Sequence, residues 1–130
     1  MIVYDHSLYQ FELIENGKIL LFTWKETTAG MTGEDFQEAL HNYAGFGAEH
    51  KVPAMLVDVR QFRYQMTPEL GKWRDEVISP RYASFGLQKF GYIVPEGVLA
   101  QMKDMMAPAD RAFEEQYFES KDAVIAWLTA

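Results

Sequence analysis

An α/β fold is predicted for this chain: a single domain, residues 1–130, with a mixed, mostly parallel five-stranded sheet flanked by about four helices. Three observations lead there. Apolar, β-preferring runs alternate with capped helical stripes along nearly the whole sequence. The run Pro53–Phe62 reads as a central strand buried on both faces, since the consecutive apolar residues Ala54–Val57 follow a helix-ending proline. Strands separated by helices must be joined by crossovers, which makes the later strands parallel and places helices on the sheet faces.

The elements follow in order. Tyr9, Phe11 and Leu13 alternate with Gln10, Glu12 and Ile14, and Asn16-Gly17 then supplies residues that accept positive φ. The apolar run Ile19–Trp24 completes a hairpin. Thr32, three residues ahead of Asp35, opens a first helix as a capping box, with Phe36, Ala39, Leu40 and Tyr43 at helical spacing. Gly45 and Gly47 are expected to stop it. Met55–Val59 is the central strand. Thr67 caps a second helix with Pro68 at its first position and Leu70, Trp73, Val77 and Ile78 as its apolar stripe, and Pro80 ends that helix or starts another short turn. Phe90–Val94 is a further buried strand, closed by Pro95-Glu96-Gly97. Val98, Leu99, Met102 and Met106 mark a third helix that stops near Pro108. In Arg111–Glu119, Phe113 and Tyr117 fit a helix while Gln116–Phe118 fits a short strand, and the strand is the preferred reading. Ser120 caps a last helix, with Asp122 in its first turn and Val124, Ile125 and Leu128 as its buried face.

The strand Ile19–Trp24, the strand Met55–Val59 running into Asp58-Val59-Arg60-Gln61-Phe62, the strand Phe90–Val94 and the ending Phe118-Glu119-Ser120-Lys121-Asp122-Ala123 to Ala126-Trp127-Leu128 resemble the SpoIIAA-like family. These are small domains related to the STAS-type anti-sigma-factor antagonists, with the fold they share with lipid-binding CRAL-TRIO domains. The similarity spans nearly the whole chain, and its distinctive piece is the closing aromatic–serine–alanine–tryptophan–leucine pattern. The resemblance implies a non-catalytic interaction or regulatory module that acts through a protein partner, with a binding protein or sensor for a small amphipathic or anionic, lipid-like ligand as the alternative. Antagonists of this kind are switched by phosphorylation of a serine soon after the central strand. Asp58–Thr67 contains no serine, and Thr67 reads as a helix cap, so that switch is not carried over.

Composition narrows the function further. Hydrophobic residues make up 48% and charged residues 24% of the chain, as in an ordinary globular protein. Nineteen acidic against twelve basic residues give a net charge of −7, which repels nucleic acid and anionic membrane surfaces. Without cysteine there is no disulfide, thiolate nucleophile or cysteine metal site. No targeting peptide is expected at Met1–His6, and no hydrophobic stretch approaches the ~20 residues that cross a bilayer, so the expected location is cytoplasmic. His6, His41 and His50 lack the spacing of metal ligands on one helix face. Gly30, Gly33, Gly45 and Gly47 form no nucleotide fingerprint, and there is no Gly-x-Ser-x-Gly elbow. No enzyme activity, metal or cofactor is therefore expected.

A site, if present, belongs where the central strands end, within Asp58–Arg74 and the segment Pro95–Val98. Asp58 ends a buried strand and is the best-placed carboxylate for acid–base work, although its simpler reading is a hydrogen-bond acceptor for the adjacent loop backbone. From Arg60 to Lys89, six basic residues face three acidic ones, a local balance of +3. Arg60 and Arg63 would supply charge beside the Thr67 helix start, or else solvate the surface or pair with Glu69 and Asp75. Phe62, Tyr64, Met66 and Trp73 would supply apolar contact. Aromatics at regular spacing, such as Phe36, Tyr43 and Trp73, and the cluster Met102, Met105 and Met106 read first as core, while Tyr64, Met66, Tyr82 and Phe85 are left over at the strand end. The candidate residues are thus Asp58, Arg60, Arg63, Tyr64, Thr67 and Trp73. The expected partner is an unknown protein, a second copy in a homodimer, or a small amphipathic or anionic ligand of lipid-like kind.

Overall fold

In the computed structural model, which describes residues 1–99 and 112–130, the chain opens with a strand that its sequence does not announce. β1 (Ile2–Asp5) pairs antiparallel with β2 (Tyr9–Ile14), through a register irregularity between Ile2 and Tyr4. The hairpin expected around Asn16-Gly17 joins β2 to β3 (Ile19–Trp24), with positive φ at Glu15, Asn16 and Gly17. β3 pairs parallel with β4 (Ala54–Asp58), β4 with β5 (Lys89–Ile93), and β5 with β6 (Glu114–Phe118). The sheet order is β1-β2-β3-β4-β5-β6. The sheet is mixed and has six strands, not five, because β1 adds an edge whose short, half-exposed pattern carries no alternation to read. Three of its five pairings are parallel. β4 is central and buried at every position, as a strand covered on both faces must be.

Among the described residues the helical bodies number three, beside a 3₁₀ turn at Glu26–Gly30. The helix expected after Val98 falls for most of its length on residues 100–111, outside the described residues, as do Met102, Met105 and Met106. α1 (Gly33–His50) starts at the expected capping box: the Asp35 amide donates to Thr32 Oγ1 at 3.1 Å and the Thr32 amide donates to Asp35 Oδ2 at 2.9 Å. It does not stop at Gly45 or Gly47 but runs on to Lys51, which ends it in the left-handed conformation at φ 50°. Gly47 serves packing instead. A Cβ there would stand 2.6 Å from Met55 Cε and 2.9 Å from Phe85 Cζ.

α2 (Pro68–Trp73), a π-helical turn (Arg74–Ile78) and α3 (Ser79–Ser84) form one continuous helix. Pro80, expected to end the helix or to start another short turn, stands at the start of α3, and the π turn before it lets the helix continue. Ser79 N–H donates five residues back, to the Arg74 carbonyl, and the widened turn makes room for a ring that an α-helix would drive into the carbonyl four residues earlier. α4 (Lys121–Leu128) follows β6, and the Ala123 amide donates to Ser120 Oγ at 3.3 Å.

The two sheet faces carry two cores. On one, α1 and the composite helix cover Tyr9, Phe11, Leu20, Phe22, Met55 and Phe90. On the other, Val124 and Leu128 of α4 cover Ile19, Leu21, Ala54, Leu56 and Ile93. No helix of the described residues is long and apolar enough to cross a membrane.

Candidate ligand-binding site

Side chains two apart on a strand share a face, so the carboxyl ends of β3 to β6 send Trp24, Val57, Phe90, Tyr92 and Tyr117 toward the same helical layer. There they meet Phe36 and Leu40, one turn apart on α1, and Phe62 and Met66 from the loop after β4. Arg74 from the π turn, Tyr82 from α3, and Pro95 and Val98 beyond β5 complete the wall. The layer does not close over these groups. It leaves a cavity of about 380 Å³ at the strand ends, where α/β sheets place their ligand sites.

The walls are mostly rings in mutual contact. Trp24 and Phe62 have centroids 4.9 Å apart, Phe90 and Tyr92 also 4.9 Å, and Tyr92 stacks on Tyr117 at 4.6 Å with planes 9° apart. Among the described lining residues Arg74 is the one charged side chain. It is about two-thirds buried, and its Nε stands 3.5 Å from Asp75 Oδ1. Burial alone would pull the guanidinium down, but Tyr92, Asp75, Tyr117 and Glu115 outweigh it and hold its pKa above the ordinary value. Burial, with a smaller push from Glu115, drives the Tyr92 phenol well above its ordinary range, against the pull of Arg74. Tyr82 is raised chiefly by burial as well. At neutral pH the floor of the cavity is therefore neutral phenol around one cation.

The six residues singled out from the sequence surround this cavity without lining it. Asp58 is buried, and its Oδ1 accepts from the Arg60 amide at 3.1 Å and from Arg60 Nε at 3.0 Å, while Oδ2 accepts from Arg60 Nη2 at 2.7 Å. Its carboxylate serves the loop, and the Arg60 charge is engaged with it. Arg63 is exposed; its guanidinium donates to the Arg60 carbonyl at 3.0 Å and to Gln61 Oε1 at 3.2 Å, and its amide to the buried Thr28 hydroxyl at 2.8 Å. Thr67 Oγ1 accepts from the Leu70 amide at 3.3 Å, the cap that the Thr-Pro-Glu start predicts. Tyr64 packs on Phe36 and Phe62, and Trp73 makes an edge contact with His41 at 5.4 Å.

Phe62, Met66, Pro95 and Val98, which the sequence places at the strand-end crevice, do line it. Trp24, Phe36, Leu40, Tyr92 and Tyr117 join them from segments far apart in the chain. The one signal that could have found two of these was an aromatic near the end of each late strand, Tyr92 and Tyr117. Among the described residues no three histidine, cysteine, aspartate or glutamate side chains lie together as a metal site would need.

A likeness to a known protein would bear on what fills the cavity. Neither a family model, nor a curated protein, nor a solved structure matches the chain. A second hollow of about 290 Å³ lies at the opposite ends of the strands, where Lys89 Nζ donates to the Trp127 carbonyl at 2.8 Å and so closes the carboxyl end of α4. That lysine has a structural partner.

Proposed function

We propose that this protein is a binding domain, a carrier or sensor, for one small amphipathic ligand held at the carboxyl ends of β3 to β6. The observation that carries the reading is an aromatic cavity whose one charged described lining residue is Arg74. Its volume, about 380 Å³, lies near the lower end of the roughly 300–1,000 Å³ range of small-molecule sites. An apolar body would gain burial against the rings, and a polar head would orient on the guanidinium.

The reading is non-catalytic. The described cavity wall holds no histidine, serine, threonine or carboxylate from which a nucleophile and base could be assembled. A regulatory module of the SpoIIAA-like kind, acting on a protein partner or by self-association, is the alternative. It would use an exposed apolar patch, whereas large exposed hydrophobic side chains among the described residues are only Met1, Ile2 and Val77.

Native mass spectrometry of the purified protein tests both. A small-molecule adduct at one per chain is expected, together with its loss in Val57→Phe, which fills the cavity from β4. Bare protein that also fails to bind naphthalene-2-acetate or decanoate at millimolar concentration would overturn the ligand reading, and a stable dimer would then favour the alternative.

A further inference from the structure

We infer that the head group this cavity selects is a single carboxylate on a planar aromatic body, an aromatic monocarboxylate. The inference rests on the ligand-binding reading above and narrows it to a chemical class.

The charge argument begins at Arg74. Its contact with Asp75 spans 3.5 Å, well beyond the ~2.7–2.9 Å of a charge-assisted hydrogen bond. The guanidinium carries five donors in a planar fork, so this contact leaves it able to take a bidentate acceptor from the cavity. A neutral head would bring no charge to that fork. A phosphate monoester would bring too much, because it carries about −1.5 to −2 at pH 7. Among the described residues two carboxylates stand near this cation. Asp75 is its neighbour in the chain, and Glu115 lies in register with Phe90, two residues before Tyr117 and therefore on the same face of β6. Within a chain of net charge −7, a head of nearly two negative charges meets about twice the repulsion that a single carboxylate does.

The body follows from the walls. Half of the described lining residues are aromatic, and they meet one another in stacked and tilted pairs. Ring on ring gains attraction beyond area burial, which an alkyl chain does not.

The test is isothermal titration of the full chain with four probes: naphthalene-2-acetate, naphthalene-2-acetamide, naphthalen-2-ylmethyl phosphate and decanoate. The acetate should bind at least about tenfold more tightly than the amide and the phosphate, since one charge-assisted contact accounts for that ratio, and more tightly than decanoate. In Arg74→Met the acetate should fall to the affinity of the amide while the amide is unchanged. Equal binding of the three naphthalene probes, or tighter binding of the phosphate, would overturn the head-group assignment and leave the apolar-cavity reading standing. Tighter binding of decanoate would overturn the aromatic body. Binding of none would overturn the inference and the reading beneath it together. Should Arg74→Met fail to fold, the four-probe series on the parent chain decides.

Discussion

Tyr43 shows how a single side chain can be a structural member of a sheet. It is fully buried on α1, and its hydroxyl donates to the Leu20 carbonyl of β3 at 2.6 Å and accepts from the Leu56 amide of β4 at 3.1 Å. The oxygen stands between two paired strands and satisfies a polar group on each. Tyr43→Phe keeps the ring and leaves both backbone groups without that partner. The expected cost is about 1–3 kcal/mol, the penalty of an unsatisfied buried group, read as a lower urea midpoint with unchanged slope. Arg60 makes a different point at the same scale. As a lone charge in the sequence it belongs to a binding rim, but in the fold its guanidinium is held by Asp58 two residues away. What decided its role was the buried carboxylate at the end of β4, which needs a donor.

At the scale of elements, glycine has two uses that the sequence does not separate. Gly47 sits inside α1, and Gly91 inside β5, each where another element comes close. A Cβ on Gly91 would run into Val124 Cγ2 of α4, a β-branched side chain with little rotamer freedom. Gly91→Ala should therefore push α4 from the sheet and cost about 1–3 kcal/mol despite the better strand propensity of alanine. A thermal melt checks it, and a companion Val124→Ala change should recover part of the loss. The π turn is the other element-scale feature. One residue more per turn, imposed where Pro80 follows, lets the helix go on, and Arg74 at its first position reaches the cavity wall.

For the whole molecule, the buried Tyr9, Tyr43 and Tyr82 and the partly buried Tyr92 set the alkaline limit. Tyr9 is pushed up to about 12, chiefly by burial, and Tyr43, Tyr82 and Tyr92 are also raised chiefly by burial. A phenol whose folded pKa exceeds its unfolded value of about 10 stabilises the fold fully below that pH. Above it the unfolded chain releases protons that the folded chain keeps, so stability falls as pH rises. Urea midpoints should thus change little on account of the tyrosines up to pH 9 and fall steeply above pH 10. A flat profile through pH 11 would contradict the burial of these hydroxyls. Arg60, whose pKa is raised chiefly by its hydrogen bond to Asp58, stays charged through that range and does not contribute to the fall.

The sequence by itself determined the α/β class, the Asn16-Gly17 hairpin, the caps at Thr32, Thr67 and Ser120, and β4 as the central strand. Each of these is written in neighbouring residues: periodicity, a turn residue, or a hydroxyl three positions ahead of an amide. It pointed to the strand ends, where Phe62, Met66, Pro95 and Val98 border the cavity but Asp58, Arg60, Arg63, Tyr64, Thr67 and Trp73 do not. The tertiary structure alone decided the rest. The edge strand β1 exists because β2 offers it a partner, and Gly47 inside α1 is a packing residue rather than a helix stop because Met55 and Phe85 leave no room there for a larger side chain. The cavity gathers Trp24, Phe36, Tyr92 and Tyr117 from four elements, and no local pattern records which rings will fill the core and which will border an opening. That is settled only when the volumes of α1, the composite helix and the sheet meet and fail to close over the carboxyl ends of the strands.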